Sequence, residues 1–255
     1  MIIKKLLRRG TEHTNFSEDA LAYKEMNNFL YACVFDGCSK GKESYFASTL
    51  FSKVFHNVTD TLASILDNPE DSMEKNAKML IFQMSRKIQE TRELLKLHVV
   101  ELMSTMVLCV LDKNSNSCFI VAIGDGYFRV DEVESFIKNT KFAAEEQGEN
   151  KPDYLAYSLE FIQNYNDFER WYAQIPEKHL FEGVTNISIA SDGMNTFAEF
   201  RAPKEDVMKI SPVDFLVRDE TFIENEIMLE KKYNILNLKY CMANKDDLSL
   251  IRIKI

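Results

Sequence analysis

The chain has 255 residues, of which 45% are hydrophobic and 11% aromatic, and its formal charge at pH 7 is −9. This length and apolar content are enough for a substantial buried core. The excess of acidic side chains disfavours nonspecific binding to nucleic acid and to anionic membrane surfaces. We therefore expect neither nucleic acid nor a membrane among the partners of this protein.

The five cysteines are scattered, and none belongs to a Cys-x-x-Cys pair: Cys33, Cys38, Cys109, Cys118 and Cys241. Their odd number and wide spacing indicate neither a disulfide framework nor a zinc site. Charge interrupts the short apolar run at the start of the chain, and no later window is long and apolar enough for a membrane span. These features predict a soluble, cytoplasmic protein with reduced thiols.

The first chemically informative stretch is an acidic pair, Glu18-Asp19, at the start of a strand-like run. After Asn27-Asn28, a second, aromatic-rich run ends in Asp36-Gly37. A lone Asp-Gly is an ordinary turn dipeptide, but here the two runs and the Asn-rich turn predict a hairpin. Antiparallel pairing would bring Asp36 and the acidic pair to the same end of the sheet.

Two helices are predicted next. Apolar residues recur at three- and four-residue spacings from Lys42 to Ile65 and again from Met73 to Leu95. This spacing is typical of amphipathic helices with one apolar face, and Asp67-Asn68-Pro69 ends the first of them. The two helices form a hairpin whose apolar faces must pack on another layer.

A second pair of strands follows the helices. The runs Ser104–Leu111 and Cys118–Ile123 flank a polar turn, and the second of them leads to Gly124-Asp125-Gly126 and a short strand. Residues from about 131 to 186 are less regular. We interpret them as a variable excursion of the kind that often frames a site.

The last third of the chain carries two more acidic motifs. A short buried strand at Ile187–Ala190 leads to Asp192, and strand-like residues surround Asp246-Asp247 near the end. Between them, residues 198–233 have a mainly helical pattern. The chain contains no repeat, low-complexity tract or flexible linker, so we predict a single domain over residues 1–255.

Acidic residues thus lie at the ends of several separate apolar runs, and no cluster of His or Cys competes with them. Folds gather oxygen ligands for hard divalent cations in this way. The order of the motifs resembles that of the metal-dependent protein phosphatases of type 2C. The resemblance covers nearly the whole chain and rests on Glu18-Asp19, Val34-Phe35-Asp36-Gly37, Ser104-Thr105, Gly124-Asp125-Gly126, Ala190-Ser191-Asp192-Gly193 and Asp246-Asp247-Leu248-Ser249-Leu250-Ile251.

The match is looser than in the best-known members, as in a divergent bacterial-type member. It implies an α+β fold, a four-layer α-β-β-α sandwich of two mostly antiparallel sheets flanked by helix pairs. It also implies a serine/threonine phosphoprotein phosphatase that hydrolyses phosphomonoesters with water activated by two metal ions, Mn²⁺ or Mg²⁺. Such ions prefer oxygen donors, and no protein nucleophile is required.

The resemblance also implies the ligands of the metal ions. Asp36 would bridge both ions, and the Gly37 carbonyl would help to hold one of them. The other ligands, direct or through water, would be acidic: Asp192, Asp246, Glu18 and Asp19. Asp125 resembles the aspartate of a third, weaker site, but its usual partner position is Thr196 here, which argues against a complete third site.

Two positions depart from the family pattern in residues that act on the phosphate. The family commonly has an arginine four residues before the first acidic position, and that residue is Thr14 here. A hydroxyl cannot replace a bidentate guanidinium, so His13 and Lys40 are further candidates for the phosphate contact. The histidine that often follows the first Asp-Gly is replaced by Cys38, and a thiol is a poor substitute for imidazole in proton transfer.

These departures support an alternative, a noncatalytic phosphatase-like module that binds a partner or a phosphopeptide. Cys38 as a nucleophile is a further alternative, which the lack of a visible base partner disfavours. The retained carboxylates of Asp36, Asp192 and Asp246 favour the enzyme, because clustered carboxylates repel one another unless a cation neutralises them.

Overall fold

A computed structural model describes residues 1–138, 153–202 and 209–255. The strands in these ranges are β1 (Ile2–Arg8), β2 (Asp19–Glu25), β3 (Phe29–Gly37), β4 (Ser104–Asp112), β5 (Ser117–Ile123), β6 (Gly126–Val130), β7 (Val133–Ile137), β8 (Lys178–Phe181), β9 (Asn186–Ala190), β10 (Phe197–Glu199), β11 (Met242–Asn244) and β12 (Leu248–Lys254). The helices are α1 (Tyr45–Thr61), α2 (Ala63–Leu66), α3 (Met73–Leu95), α4 (Leu155–Ser158), α5 (Tyr165–Ala173), α6 (Pro212–Val217) and α7 (Met228–Leu238). Within the described ranges, no helix has the length and apolar character needed to cross a bilayer.

Ten strands form two five-stranded antiparallel sheets. Sheet I has the order β2-β3-β4-β5-β8 and sheet II the order β1-β12-β9-β6-β7, while β10 and β11 pair separately. The inner faces of the two sheets pack on each other through aliphatic side chains such as Val34, Val107, Ile120, Ile189 and Ile251.

Helices cover the outer face of each sheet. On sheet I, Phe51 and Phe55 of α1 and Leu80 of α3 share one core cluster with Phe35 of β3. On sheet II, α6 and α7 pack on β1 and β12 in another cluster. Because both faces of β3 are covered, its even- and odd-numbered residues enter different clusters, and the strand is apolar without interruption from Phe29 to Phe35. The four-layer α-β-β-α sandwich expected from the resemblance is therefore confirmed.

Two segments fold differently from the pattern that their sequence predicts. The basic opening, for which no element was predicted, forms β1 and pairs along its full length with the apolar β12. The mainly helical prediction for residues 198–233 is wrong in its first part, because Phe197–Glu199 forms β10 against β11. Both strands depend on partners remote in sequence, which local periodicity does not reveal. Residues 203–208 lie outside the described ranges.

The predicted excursion contributes to both sheets. Within it, β7 forms one edge of sheet II and β8 forms one edge of sheet I, while α4 and α5 pack beside α3 and sheet I. Its acidic, glycine-containing part, residues 139–152, lies outside the described ranges. The excursion is therefore part of the core architecture at its two ends.

Two buried cations lie at the C-terminal end of α6. The Lys232 side chain is fully buried, and its Nζ donates to the Phe215 carbonyl at 2.8 Å and pairs with the Asp219 carboxylate at 2.9 Å. Arg252 Nη1 donates to the Leu216 and Asp219 carbonyls at 3.0 and 2.7 Å. The last carbonyls of a helix have no partner inside it, so these cations satisfy groups that would otherwise be unpaired.

Replacing Lys232 by methionine is expected to lower the free energy of unfolding by about 3 kcal/mol. The substitution keeps the apolar stem but leaves buried carbonyls without a donor. Urea denaturation measures the change, and Lys231→Met, whose ammonium lies 5.7 Å from the Phe222 ring centroid at the helix surface, is the matched control. Equal losses in the two variants would contradict this role of Lys232.

Candidate active site

The end of sheet I brings the first acidic residues together. In the predicted β2–β3 hairpin, Asp19 lies directly opposite Asp36. On its other side, Asp36 faces Thr105 of β4. The acidic pair and Asp36 therefore share one end of the sheet.

Asp125 and Asp192 reach the same place from other strands. Asp125 lies between β5 of sheet I and β6 of sheet II, where Gly124 has φ +91°. A Cβ at Gly124 would lie 2.8 Å from the Thr105 side chain, so this crossing requires glycine. Asp192 follows β9 in a single 3-10 turn. Carboxylate oxygens of Asp36, Asp125 and Asp192 lie within 4.8 Å of one another.

The electrostatics of this cluster are unfavourable without a cation. Burial, with the charges of Asp125 and Asp246, raises the pKa of Asp192 to about 7. Burial raises the pKa of Asp125 to about 6, and burial followed by the charge of Asp19 raises that of Asp36 well above its usual value.

The oxygen atoms in this cluster are also short of partners. One buried oxygen each of Asp125, Asp192 and Asp19 has no hydrogen-bond donor in the described part of the chain. Buried, unpaired, converging carboxylate oxygens are the donor set that hard divalent cations prefer. The residues present therefore fit Mn²⁺ or Mg²⁺.

Asp19 is fixed from the opposite sheet. Ser191 Oγ donates to Asp19 Oδ2 at 2.5 Å and accepts from the Ser249 amide at 3.0 Å. Burial nevertheless raises the pKa of Asp19 to about 7. In the sequence, Ser191 is recognisable only as part of the Ser-Asp-Gly motif, and its contact with Asp19 is not predicted from that motif.

The two adjacent aspartates before β12 occupy different environments. Asp247 is 1% exposed, and its carboxylate accepts from the Gly10 amide at 2.6 Å, from His13 Nδ1 at 2.8 Å and from the Glu18 amide. The Asp246 side chain is 41% exposed, with Oδ1 at 3.3 Å from His13 Nε2. Asp247 thus holds the segment that carries Glu18, while Asp246 Oδ1 accepts from the Asp247 amide at 2.8 Å and its side chain stays partly exposed.

Asp246 lies at the edge of that cluster. In the described residues it does not belong to the close group of three, but its charge contributes to the raised pKa of each member. Burial lowers the pKa of His13, but the hydrogen bond and charge of Asp247 outweigh it, so the net pKa is raised. The two carboxylates that His13 faces therefore favour the protonated, positively charged form of its ring.

Thr196 links the Asp192 turn to the Asp246 loop. Its Oγ1 donates to the Gly193 carbonyl at 2.9 Å and accepts from the Lys245 and Asp246 amides at 3.1 and 3.2 Å. A Cβ at Gly193 would lie 1.8 Å from the Asp247 carbonyl oxygen, so only glycine allows this approach. Thr196 occupies the position that would carry a further acidic ligand in the family pattern, and here its side chain forms hydrogen bonds to the backbone instead.

The end of β3 at Gly37 and the residues that follow it position Glu18. The Gly37 amide donates to the Glu18 carbonyl at 3.1 Å, and Ser39 Oγ donates to Glu18 Oε2 at 2.9 Å. A Cβ at Gly37 would lie 2.3 Å from the Ser44 carbonyl oxygen. Ser39 was not singled out from the sequence, because a serine in a polar turn has no distinguishing local pattern.

The three candidates for phosphate contact are placed differently. Thr14 is exposed, and it lines a cleft of about 390 Å³ together with His13 and Glu18. Lys40 is exposed and does not line this cleft. The cleft therefore brings two of the three candidates next to an acidic residue of the site.

Cys38 lies in a setting that the sequence did not predict. The thiol shares a hydrogen bond with the hydroxyl of Tyr154, which is buried at the start of α4. Burial is the main cause of the raised pKa of Tyr154, and the charges of Cys38, Asp36 and Asp125 add to it. Tyr154 therefore borders the acidic cluster, although it lies far from the other site motifs in sequence.

The family of this chain follows from a direct match. Residues 9–212 match the model of the protein phosphatase 2C family. The chain therefore belongs to that family and is a protein serine/threonine phosphatase by class. No curated protein sequence matches it.

Solved structures show the same fold. The chain is similar to the serine/threonine phosphatase Stp1 from Staphylococcus aureus, with a TM-score of 0.59, 12% identity and coverage of 100% of this chain and 95% of that one. It is also similar to a bacterial serine phosphatase variant, with a TM-score of 0.57, 15% identity and coverage of 100% of this chain and 98% of that one. A third similar structure is the catalytic domain of the serine/threonine protein phosphatase PstP in complex with two manganese ions. Its TM-score is 0.53 at 16% identity, with coverage of 98% of this chain and 97% of that one. At such identities the likeness concerns the fold alone.

Proposed function

We propose that this protein hydrolyses phosphoserine and phosphothreonine in protein substrates and that its activity depends on two Mn²⁺ or Mg²⁺ ions. The observation that carries this proposal is the cluster of Asp36, Asp125 and Asp192, whose carboxylate oxygens lie within 4.8 Å of one another. Two of the three present buried oxygens without donors. Such a cluster is unfavourable in the metal-free protein, and binding a divalent cation relieves the repulsion.

The proposed ligands come from several strand ends. They are Asp36 with the Gly37 carbonyl, Asp192 and Asp246, with Glu18 and Asp19 acting directly or through water. Asp125 lies in the same cluster, but Thr196 bonds to backbone amides, so we assign no complete third site. When bound, the ions supply positive charge that lowers the pKa of a water molecule and stabilises phosphoryl oxygens.

The chain's own residues orient these groups. Ser39 holds the Glu18 carboxylate, Ser191 holds that of Asp19, and Asp247 fixes the segment that carries both. Thr14 is the phosphate contact that the cleft favours, because both ring nitrogens of His13, which also lines the cleft, face the carboxylates of Asp246 and Asp247. We also propose that residues 1–255 act as one phosphatase domain in the cytoplasm, which the unpaired cysteines favour.

A second candidate function is a noncatalytic module that binds a partner or phosphopeptide. The observation that favours it is the exposed Thr14 at the position where the family commonly has arginine, together with the Cys38 thiol bonded to Tyr154. Neither arrangement offers a guanidinium or an imidazole to the substrate phosphate.

Chelation separates the two candidates. With Mn²⁺ the purified protein is expected to hydrolyse 4-nitrophenyl phosphate. Exhaustive EDTA treatment is expected to reduce the rate of hydrolysis to background, and adding Mn²⁺ again is expected to restore that rate. Activity that survives chelation would contradict the metal-dependent mechanism. Calorimetric Mn²⁺ binding without hydrolysis of either the aryl phosphate or a phosphopeptide would instead support the noncatalytic module.

Introducing arginine at position 14 is expected to lower the KM for an aryl phosphate about ten- to hundredfold. A charge-assisted contact with phosphate stabilises binding by about 1.5 to 3 kcal/mol, and turnover changes little if the contact is equal in ground and transition states. Steady-state kinetics compare Thr14→Arg with Thr11→Arg, an exposed position outside the cleft lining. Equal KM values in both variants would show that Thr14 does not face the phosphate.

A further inference from the structure

The cleft beside the acidic cluster is lined on one side by residues that have no proposed role in holding the metal ions or the phosphate. It lies between the loop of residues 12–18 and the turn of residues 39–45, and it encloses about 390 Å³. This volume is within the range of small ligand sites. Because Glu18 lines the cleft and is also a proposed site ligand, the cleft opens directly beside the reaction centre.

An exposed aromatic pair forms one side of this cleft. Phe16 is 62% exposed, and its ring packs on that of Tyr45 with the centroids 4.9 Å apart. The Tyr45 hydroxyl donates to Glu43 Oε2 at 3.2 Å, so a carboxylate lies at the end of the aromatic surface. Aromatic faces next to a carboxylate are suited to a guanidinium, which stacks on rings and pairs with carboxylates.

The charges of the cleft favour a cationic occupant. Three carboxylates line it, those of Glu12, Glu18 and Glu43, against the single ammonium of Lys42. Glu12 also pairs with Lys245 at 3.7 Å and Glu18 is a proposed metal ligand, so Glu43 is the carboxylate that remains to pair with an occupant. His13 also lines the cleft, but its ring nitrogens already face Asp246 and Asp247. An acidic side chain would meet a negative surface, and an apolar one would cover Glu43 without pairing with it.

We infer that this cleft binds an arginine side chain adjoining the phosphoserine or phosphothreonine of the substrate. The inference rests on the proposed function and narrows its substrate class to phosphopeptides with a basic flank. An extended peptide advances about 3.3 to 3.6 Å per residue, so a neighbour one or two positions from the phosphoresidue reaches a cleft that begins at Glu18. The arginine stacks on Phe16 and Tyr45 and pairs with Glu43.

The test uses three phosphopeptides that differ only at the two positions on each side of the phosphoserine, with Arg, Ala or Glu there. The measured quantity is the ratio of kcat/KM for the Arg peptide to that for the Ala peptide, with Mn²⁺ present, so that changes in basal activity cancel. The native ratio is expected to be about tenfold or more. It is expected to approach one in Phe16→Ala and in Glu43→Gln.

Phe161→Ala is the matched control, because Phe161 is an aromatic residue that is 75% exposed and does not line the cleft. Its ratio is expected to equal the native one. A native ratio near one, with the aryl phosphate still hydrolysed, would overturn the inference and leave the proposed function intact. Preference for the Glu peptide would also overturn it, since Lys42 would then dominate the cleft.

Binding provides a second readout if no substrate is hydrolysed, a result that would overturn the proposed function. Fluorescence anisotropy with Mn²⁺ then compares the same labelled peptides. Tighter binding of the Arg peptide, lost in Phe16→Ala, would support the inference. Equal affinities for the Arg and Ala peptides would overturn it.

Discussion

Replacing Asp192 by asparagine is expected to reduce phosphatase activity by about 100-fold or more, while the metal-free protein remains at least as stable as the native chain at pH 7. The side chain lies at a strand end, where it converges with Asp36 and Asp125 and has an oxygen without a donor. Outer-shell partners of metal sites already contribute about 10- to 100-fold, so a direct ligand should contribute more. Isothermal titration with Mn²⁺ should show the matching loss of affinity.

The pH dependence of stability gives an independent check on the Asp192 variant. Burial and neighbouring charges raise the folded-state pKa of Asp192 to about 7, whereas an unfolded aspartate titrates near about 3.9. Between these values the folded state binds more protons than the unfolded state, so the metal-free protein loses stability as pH rises through this window. Asp192→Asn removes one titrating group and should flatten that decline.

Thermal unfolding in EDTA from pH 4 to 8 measures this trend, and saturating Mn²⁺ should abolish it in the native protein. Asp60→Asn is the control, because Asp60 is exposed, pairs with Lys24, and has a pKa lowered by that hydrogen bond. Its activity and its pH trend should match the native ones. Unchanged Mn²⁺ affinity in Asp192→Asn would remove Asp192 from the ligand set.

Replacing Asp247 by alanine is expected to lower the free energy of unfolding by about 3 to 5 kcal/mol, whereas Asp246→Ala should change it by less than about 1 kcal/mol. Asp247 is buried and accepts from the amides of Gly10 and Glu18 and from His13. Its removal leaves those amides without an acceptor inside the protein. Asp246 is partly exposed, so its loss should instead appear in Mn²⁺ affinity and in activity.

Urea denaturation in EDTA and Mn²⁺ titration of the two variants distinguish these roles. Each variant is the matched control for the other, since both replace an aspartate by alanine at adjacent positions. Equal destabilisation by both substitutions would contradict the structural role of Asp247. Normal activity in a folded Asp246→Ala variant would remove Asp246 from the proposed ligands.

Local sequence pattern was sufficient where a feature depends on neighbours in the chain. The Asn-rich turn and two apolar runs predicted the β2–β3 hairpin, and that hairpin alone placed Asp19 opposite Asp36. The helical spacing predicted α1 and α3 in the same way, because amphipathic periodicity is written within a single segment. The ordered acidic motifs also indicate the phosphatase family from the sequence alone.

Convergence between distant strands is decided by the tertiary structure. The sequence set Asp125 apart as a residue of a third site, but the crossing from sheet I to sheet II brings its carboxylate into the group with Asp36 and Asp192. The ligand set remains a proposal, and Asp246 lies at its edge. Strand β1 is likewise stabilised by β12 at the far end of the chain, and its own basic composition gives no sign of this pairing.

The sequence by itself therefore determined the fold class, the order of its motifs and the acidic character of the site, because these depend on residue type and local periodicity. Only the tertiary structure distinguished Asp246 from Asp247 and placed Phe16 on Tyr45 beside Glu18. Two adjacent aspartates are chemically identical in sequence, and burial and hydrogen-bond partners supplied by remote segments give them different roles.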